Sequence, residues 1–212
     1  NVIAVRVDND WQYRERATGS RFQWNDQNFN ANYGGITKNV WLHITDKLYQ
    51  TLPLYSNLQT TGVYVYASDI KVKSRKAMIH AESQIRNEHD KPMTVGYEVD
   101  IYDYEGKRVS SFSGTPITVN PQETAMLEAY APLENIHFWS WGYGYLYHVV
   151  TRLIVDNKSI DEVVTTTGFR KTRFGSGKVW LNDRVIQLKG YAQRSSLSLI
   201  HISEPTRRVV IS

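Results

Sequence analysis

Apolar and polar side chains alternate with a period of two along most of this chain, and no stretch keeps a 3.6-residue apolar period for three turns. Runs rich in Val, Ile, Tyr, Thr and Trp are parted by Gly, Asn, Asp and Pro, the composition of short strands and their turns. The alternation predicts strands at 2–7, 38–45, 61–73, 76–87, 94–102, 107–113, 122–130, 145–156, 160–168, 178–181 and 185–189. Pro53, Pro92, Pro116, Pro121 and Pro132 fall at predicted strand ends or in loops, where a missing N–H does least harm. Hairpin turns are predicted at Glu105-Gly106 and at Asn182-Asp183.

The strands group into blocks. Residues 1–66 hold two strands around a long loop, "DNDWQYRERATGSRFQWNDQNFNANYGG". Loops of that length without structure of their own are uncommon and often functional. Residues 67–168 carry about seven strands over about 100 residues, the count and spacing of an immunoglobulin-like sandwich without the Cys…Trp…Cys pattern of antibody domains. From residue 169 a third unit begins, a hairpin and then a strand leading onward to 196. "NVIAVRVDN" starts inside a strand pattern, with no Met and no signal segment, as expected of a piece of a longer chain.

Composition narrows the partners. The 212 residues are 41% hydrophobic and 22% charged, ordinary for a soluble globular chain. No run nears the ~18 apolar residues of a membrane span, so no membrane partner is expected. Net charge is +4, with basic residues scattered among acidic ones. "KVKSRK" at 71–76 reads as a solvated strand and turn, so no nucleic-acid partner is expected. Without cysteines there are no disulfides or thiolate metal sites, and the compartment stays open. The six His (43, 80, 89, 137, 148, 201) lack metal-ligand spacing. "GYG" at 142–144 lacks the strand–turn–helix setting of a phosphate cradle, and "DIYDYEG" lacks a calcium loop's spacing.

Four phrases, in order, resemble glycoside hydrolase family two, the β-galactosidase, β-glucuronidase and β-mannosidase group. "NVIAVRVDN" looks like a late strand of that family's sugar-binding jelly roll. "NYGGITKNVWLHITD", with Gly35, Ile36, Val40 and Trp41, is similar to the strand that closes that domain. "LENIHFWSWGYGYLYHVVTRL" resembles a Leu-Trp-Ser segment followed by Leu-Tyr and a strand, with Gly142, Tyr143 and Gly144 where the family has Pro residues. "TTTGFRKTRF…VWLNDRVIQLKG", with Gly168, Phe169, Arg170, Leu181, Asn182, Leu188, Lys189 and Gly190, resembles the passage into a (β/α)8 barrel. The resemblance implies an all-β chain: the C-terminal part of a jelly roll over 1–66, an immunoglobulin-like sandwich over 67–168, and the opening of a catalytic barrel over 169–196.

It also implies a chemistry that lies elsewhere. Members are retaining glycosidases with two carboxylic acids ~5–5.5 Å apart. Both are Glu on late barrel strands, and no Glu here matches either. Glu82, Glu88, Glu98, Glu123, Glu128 and Glu162 fall in the sandwich and are expected to be solvated. In some members the loop before the Gly-Gly-Ile strand reaches the active site. "WNDQNFN" takes that place, so Asp26 or Asn28 is the expected sugar contact, with Trp24 or Phe29 as a stacking platform. The plain alternative is a solvent loop whose Asn and Asp cap turns. The implied partner is a carbohydrate, a β-galactoside by family frequency, with β-glucuronide and β-mannoside open. No cofactor is implied in this chain, Mg or Na for the longer enzyme, and a homo-oligomer is in keeping with the family. A stand-alone carbohydrate-binding module and an adhesive immunoglobulin-like protein are the competing readings. "LNDRVIQLKGYAQRS" argues against both, since it serves no self-contained sandwich.

The last stretch is read differently. "LSLIHISEPTR", Leu197 to Arg207, matches the in-frame translation of a transposase-type sequencing adapter at all eleven residues. The adapter continues through an index to ATC TCG, which reads Ile211-Ser212. Residues 197–212 are therefore expected to be adapter read-through and are set aside from fold reasoning.

Overall fold

The computed structural model describes residues 2–6, 42–53 and 59–190, and every helix or strand among them is a strand. The expected all-β class is what is found. Trp24, Asp26, Asn28 and Phe29, most of 1–66, and the adapter-like residues 197–212 lie outside the described residues. The chain divides into His43–Gln187 and a second unit of 1–42 with 188–212, whose described residues carry no strand.

Two antiparallel sheets face each other. The first is built on β3 (Lys76–Asn87). One edge of β3 is taken by β2 (Val63–Lys71) and, further along, by β1 (Leu48–Gln50). The other edge pairs with β6 (Thr124–Leu133). The second sheet runs β5-β4-β7-β8, from β4 (Met93–Tyr102), β5 (Arg108–Val119), β7 (Tyr147–Val155) and β8 (Lys158–Thr167). A small sheet follows, with β10 (Lys178–Leu181) between β9 (Thr172–Gly175) and β11 (Arg184–Ile186).

Alternation decides what lies between the sheets. In β3 the buried set is Ala77, Ile79, Ala81, Ser83, Ile85 and Asn87, every second residue. Val95, Tyr97, Val99 and Ile101 of β4 face them, with Val149 and Leu153 of β7. Burying such side chains is worth ~1.5–3 kcal/mol each. A polar cluster threads this core. Gln50 Oε1 accepts from Ser83 Oγ at 3.0 Å and from Thr151 Oγ1 at 2.8 Å, while its amide donates to Thr151 O and Asp161 Oδ2. Gln50 N donates to the same Asp161 oxygen at 2.8 Å. One side chain on β1 thereby fastens the first sheet to β7 and β8.

The predicted strands at 76–87 and 178–181 match β3 and β10, and the turns fall as expected. Asp103 Oδ1 accepts from Glu105 N and Lys107 N around Gly106, whose φ is +81°. Asn182 and Asp183, both at positive φ, join β10 to β11. Other strand expectations need correction. Residues 2–6 and 42–45 carry no strand. Alternation makes a strand only where a partner supplies the ladder. β1 and β9, of three and four residues, fall outside the predicted strands. Pro116 and Pro132 lie inside β5 and β6, not at their ends. Among the described residues β5 pairs with β4 alone and β6 with β3 alone, and on such strands a proline whose nitrogen faces away from the partner removes no ladder bond. Pro116 also sits where the β4–β5 register shifts between Val95 and Tyr97.

Candidate functional site

The sugar contacts expected at Trp24, Asp26 and Asn28 fall outside the described residues, so the described chemistry is that of the sandwich and its hairpin. Among the described residues no group of three or more His, Asp or Glu side chains is placed to hold a metal ion. Glu98, Glu123, Glu128 and Glu162 are exposed. Glu82 accepts from Tyr66 Oη at 2.8 Å, and Glu88 from Tyr49 Oη at 3.1 Å. His80 stacks on Tyr66 and bonds Ser68, His148 bonds Thr166, and His89 meets Asp46.

The most built location is the end of the sandwich where the segment 136–147 meets the hairpin β10–β11. The aromatic run of the sequence packs on itself here. His137 stacks on Tyr145 at 4.6 Å, Tyr145 touches Tyr147 at 5.1 Å, and Tyr147 touches Phe169 at 5.3 Å. Tyr147 is buried, which pushes its pKa up, and its hydroxyl accepts from His137 N at 2.9 Å. Trp139 N donates to Phe169 O, and Gly168 lies so close that a Cβ there would stand 2.7 Å from the Trp139 Cβ. Glycine at 168 is thus a close-packing requirement.

Asn182 closes the joint. Its backbone N donates to Lys171 O at 2.8 Å, its Oδ1 accepts from Lys171 N at 3.0 Å, and its amide donates to Trp139 O at 2.9 Å. The next residue, Asp183, pairs with Lys171 Nζ at 2.7 Å, and the Arg170 guanidinium lies over the Trp139 ring. Asn182 is legible from the sequence as a turn residue. Its reach to Trp139 was not, because a bond across 43 residues leaves no local signal.

A charged ladder crosses the outer face of the second sheet. Arg152 bridges Asp100 at 2.6 Å and Glu162 at 2.7 Å, and Arg108 stands 3.6 Å from the other Asp100 oxygen. Burial opposes the charge on Asp100, but hydrogen bonds from Ser111 and Arg152 outweigh it and hold its pKa below the usual value. Within the core, burial pushes the Tyr97 phenol well up, partly offset by the Thr151 and Ser83 hydroxyls beside it. Neither group pairs a nucleophile with a base. Joint, ladder and core cluster hold strands together.

The family profile "Glycosyl hydrolases family 2" matches residues 62–170. A β-glucuronidase of Formosa agariphila is 34% identical over 197 residues, 92% of this chain and 20% of that protein. A β-galactosidase of Bacteroides ovatus is 24% identical over 99% of this chain and 22% of its own length. A solved β-glucuronidase of glycoside hydrolase family 2 superposes with a TM-score of 0.75 at 32% identity, over 88% of this chain and 19% of its own. The chain thus spans about a fifth of the length of these relatives. With the profile covering the chain from the start of β2 through Arg170, about half of its length, this chain belongs to glycosyl hydrolase family 2.

Proposed function

We propose that this chain is the non-catalytic β-sandwich part of a longer retaining exo-β-glycosidase, and that the longer enzyme removes terminal β-glucuronosyl units. The observation that carries the reading is the 34% identity to a β-glucuronidase over 92% of this chain. A β-galactoside, the substrate expected by family frequency, is the second reading, and the Bacteroides ovatus relative favours it.

In a retaining enzyme one carboxylic acid protonates the leaving oxygen while the other attacks the anomeric carbon, and water then releases the sugar from the glycosyl-enzyme. The described glutamates do other work, on sheet surfaces and in turns. The part of this chain is therefore to position: a sandwich that takes in β1 and β2 as well as the strands over 67–168, between a sugar-binding half-domain in the residues before β1 and a barrel that opens at 169–196. The joint at Asn182 suits that role, since it fixes where the hairpin leaves the sandwich. Asp26, Asn28 and Trp24 are the proposed sugar contacts. Mg or Na, expected for the longer enzyme, finds no ligand set among the described residues.

The test is turnover of 4-nitrophenyl β-glucuronide and β-galactoside by a full-length protein containing this sequence. A preference for the glucuronide is expected, and a larger kcat/KM on the galactoside would give the second reading. The purified 212-residue chain should hydrolyse neither, and turnover by it would end the non-catalytic assignment. In the full-length protein Asp26→Ala should raise KM or lower kcat, and unchanged kinetics would remove Asp26 from the site.

A further inference from the structure

The outer face of the first sheet carries groups that the positioning role leaves unused. Side chains cross it in register. Tyr66, His80 and Tyr130 form one row, Tyr64, Glu82 and Glu128 the next, then Gln84 with Met126, then Tyr49, Arg86 and Thr124. Tyr64 and Tyr130 are 61% and 66% exposed, on the two strands that flank β3.

Where β1 and β2 meet the same edge of β3, a cleft of about 440 Å³ opens on this face, lined by Tyr49, Thr51, Thr60, Gln84, Arg86 and Thr124. That volume lies in the ordinary range of ligand pockets. Its hydrogen-bonding groups are oriented. Gln84 Oε1 is taken by Thr51 Oγ1 at 2.8 Å and Thr61 N at 3.0 Å. The Gln84 Nε2 donors have no partner among the described residues, although the rest of the amide is fixed. Arg86 makes long contacts, 3.3 Å to Thr124 Oγ1, 3.4 Å to Gln122 Oε1 and 3.7 Å to Glu88, so its guanidinium keeps donor capacity. Tyr64 is the next side chain along the sheet, about 7 Å from the Gln84 row by strand rise. One of its faces rests on Tyr66 at 5.2 Å, and no ring lies on the other among the described residues.

We propose that this cleft, with the Tyr64 ring at its border, is a carbohydrate-binding site that takes a pyranose unit of an oligosaccharide. A pyranose offers a rim of hydroxyls and a face of C–H groups. The rim matches the fixed amide donors of Gln84, the Arg86 guanidinium and the Thr60 and Thr124 hydroxyls, and the C–H face matches an open aromatic ring. Arg86 is the cation in the lining, so a uronic acid carboxylate would sit against it. The site needs no catalytic centre and stands apart from the substrate reading of the longer enzyme.

Calorimetry on the purified 212-residue chain with galactan-derived and glucuronoxylan-derived oligosaccharides tests it. Binding of at least one set is expected. Gln84→Ala and Tyr64→Ala should each weaken it roughly tenfold, with unchanged circular dichroism and only a small fall in Tm. Tyr104→Ala, at a still more exposed tyrosine in the β4–β5 turn, should leave it intact. Loss of the glucuronoxylan set alone in Arg86→Ala assigns the carboxylate to Arg86, and equal loss of both sets assigns hydroxyl recognition. No binding by the folded wild-type chain, or binding untouched by Gln84→Ala and Tyr64→Ala, overturns the proposal. Glycosidase turnover by a full-length protein alongside either result would leave the enzyme reading standing while this one fails.

Discussion

The outer faces of the two sheets come from the same alternation and end in opposite conditions. On the second sheet the charged groups pair with one another: Asp100, Arg152 and Glu162 run across β4, β7 and β8, Arg108 faces Asp100 at 3.6 Å, and His148 bonds Thr166 beside them. On the first sheet the amide of Gln84 and the rings of Tyr64 and Tyr130 are held in place yet left open. Exposure alone does not separate a structural face from a binding face, since Glu162 and Tyr64 are both exposed. Partnering does.

The largest expected effect lies where the two sheets touch. β5 pairs with β4, but at Gly114 it passes so near β6 that a Cβ would overlap the Glu128 carbonyl oxygen at 2.2 Å. That oxygen is backbone and cannot swing aside. Gly114→Ala should cost ~3 kcal/mol, the upper range for overpacking, read as a fall in the urea midpoint with little change in m. A variant as stable as wild type would mean the sheets slide freely here, and the contrast between their faces would lose its rigid frame.

The ladder comes next. Asp100→Asn keeps the shape, removes the charge facing Arg152, and should cost ~2 kcal/mol at neutral pH. Arg152 retains Glu162, which limits the loss. The pH dependence carries a sign. The folded-state pKa of Asp100 is depressed, so its contribution is full above the unfolded value of ~4 and is lost as pH falls through the folded one. The Tm gap between wild type and Asp100→Asn should therefore be wide at neutral pH and close under acid. A gap that stays constant with pH would show that the carboxylate charge does not hold this face together.

Much of this frame was legible in the residues, for reasons that also mark the limits. β3 reads as a strand end to end because each second residue from Ala77 to Asn87 must be buried. Gly106 and Asn182-Asp183 mark turns because their backbones need positive φ. The cleft was not legible. Gln84 and Arg86 look like ordinary solvent-side residues of an amphipathic strand, and nothing local tells that β2 stops short and β1 takes up the same edge beyond it. Gln50 was missed for the same reason, since its partners lie on strands 33 to 111 residues away. Pattern shows which face a side chain joins, and register between distant strands shows what it meets there.

The smallest expected effect is the sharpest check on the contrast. If the rings of the first sheet are there to bind, removing them should hardly matter to folding. Tyr130 meets His80 at 5.8 Å and 35°, and among the described rings Tyr64 rests on Tyr66. Such cross-strand and neighbouring pairs contribute ~0.2–1 kcal/mol. Tyr64→Ala and Tyr130→Ala should each lower stability by no more than ~1 kcal/mol, below Asp100→Asn measured in the same buffer. Tyr64→Ala should at the same time lose oligosaccharide binding, a split that a structural ladder would not produce. Were either ring to cost as much as Asp100, the stack Tyr64–Tyr66–His80–Tyr130 would be a cross-strand brace, and the two faces would be two solutions to the same structural need.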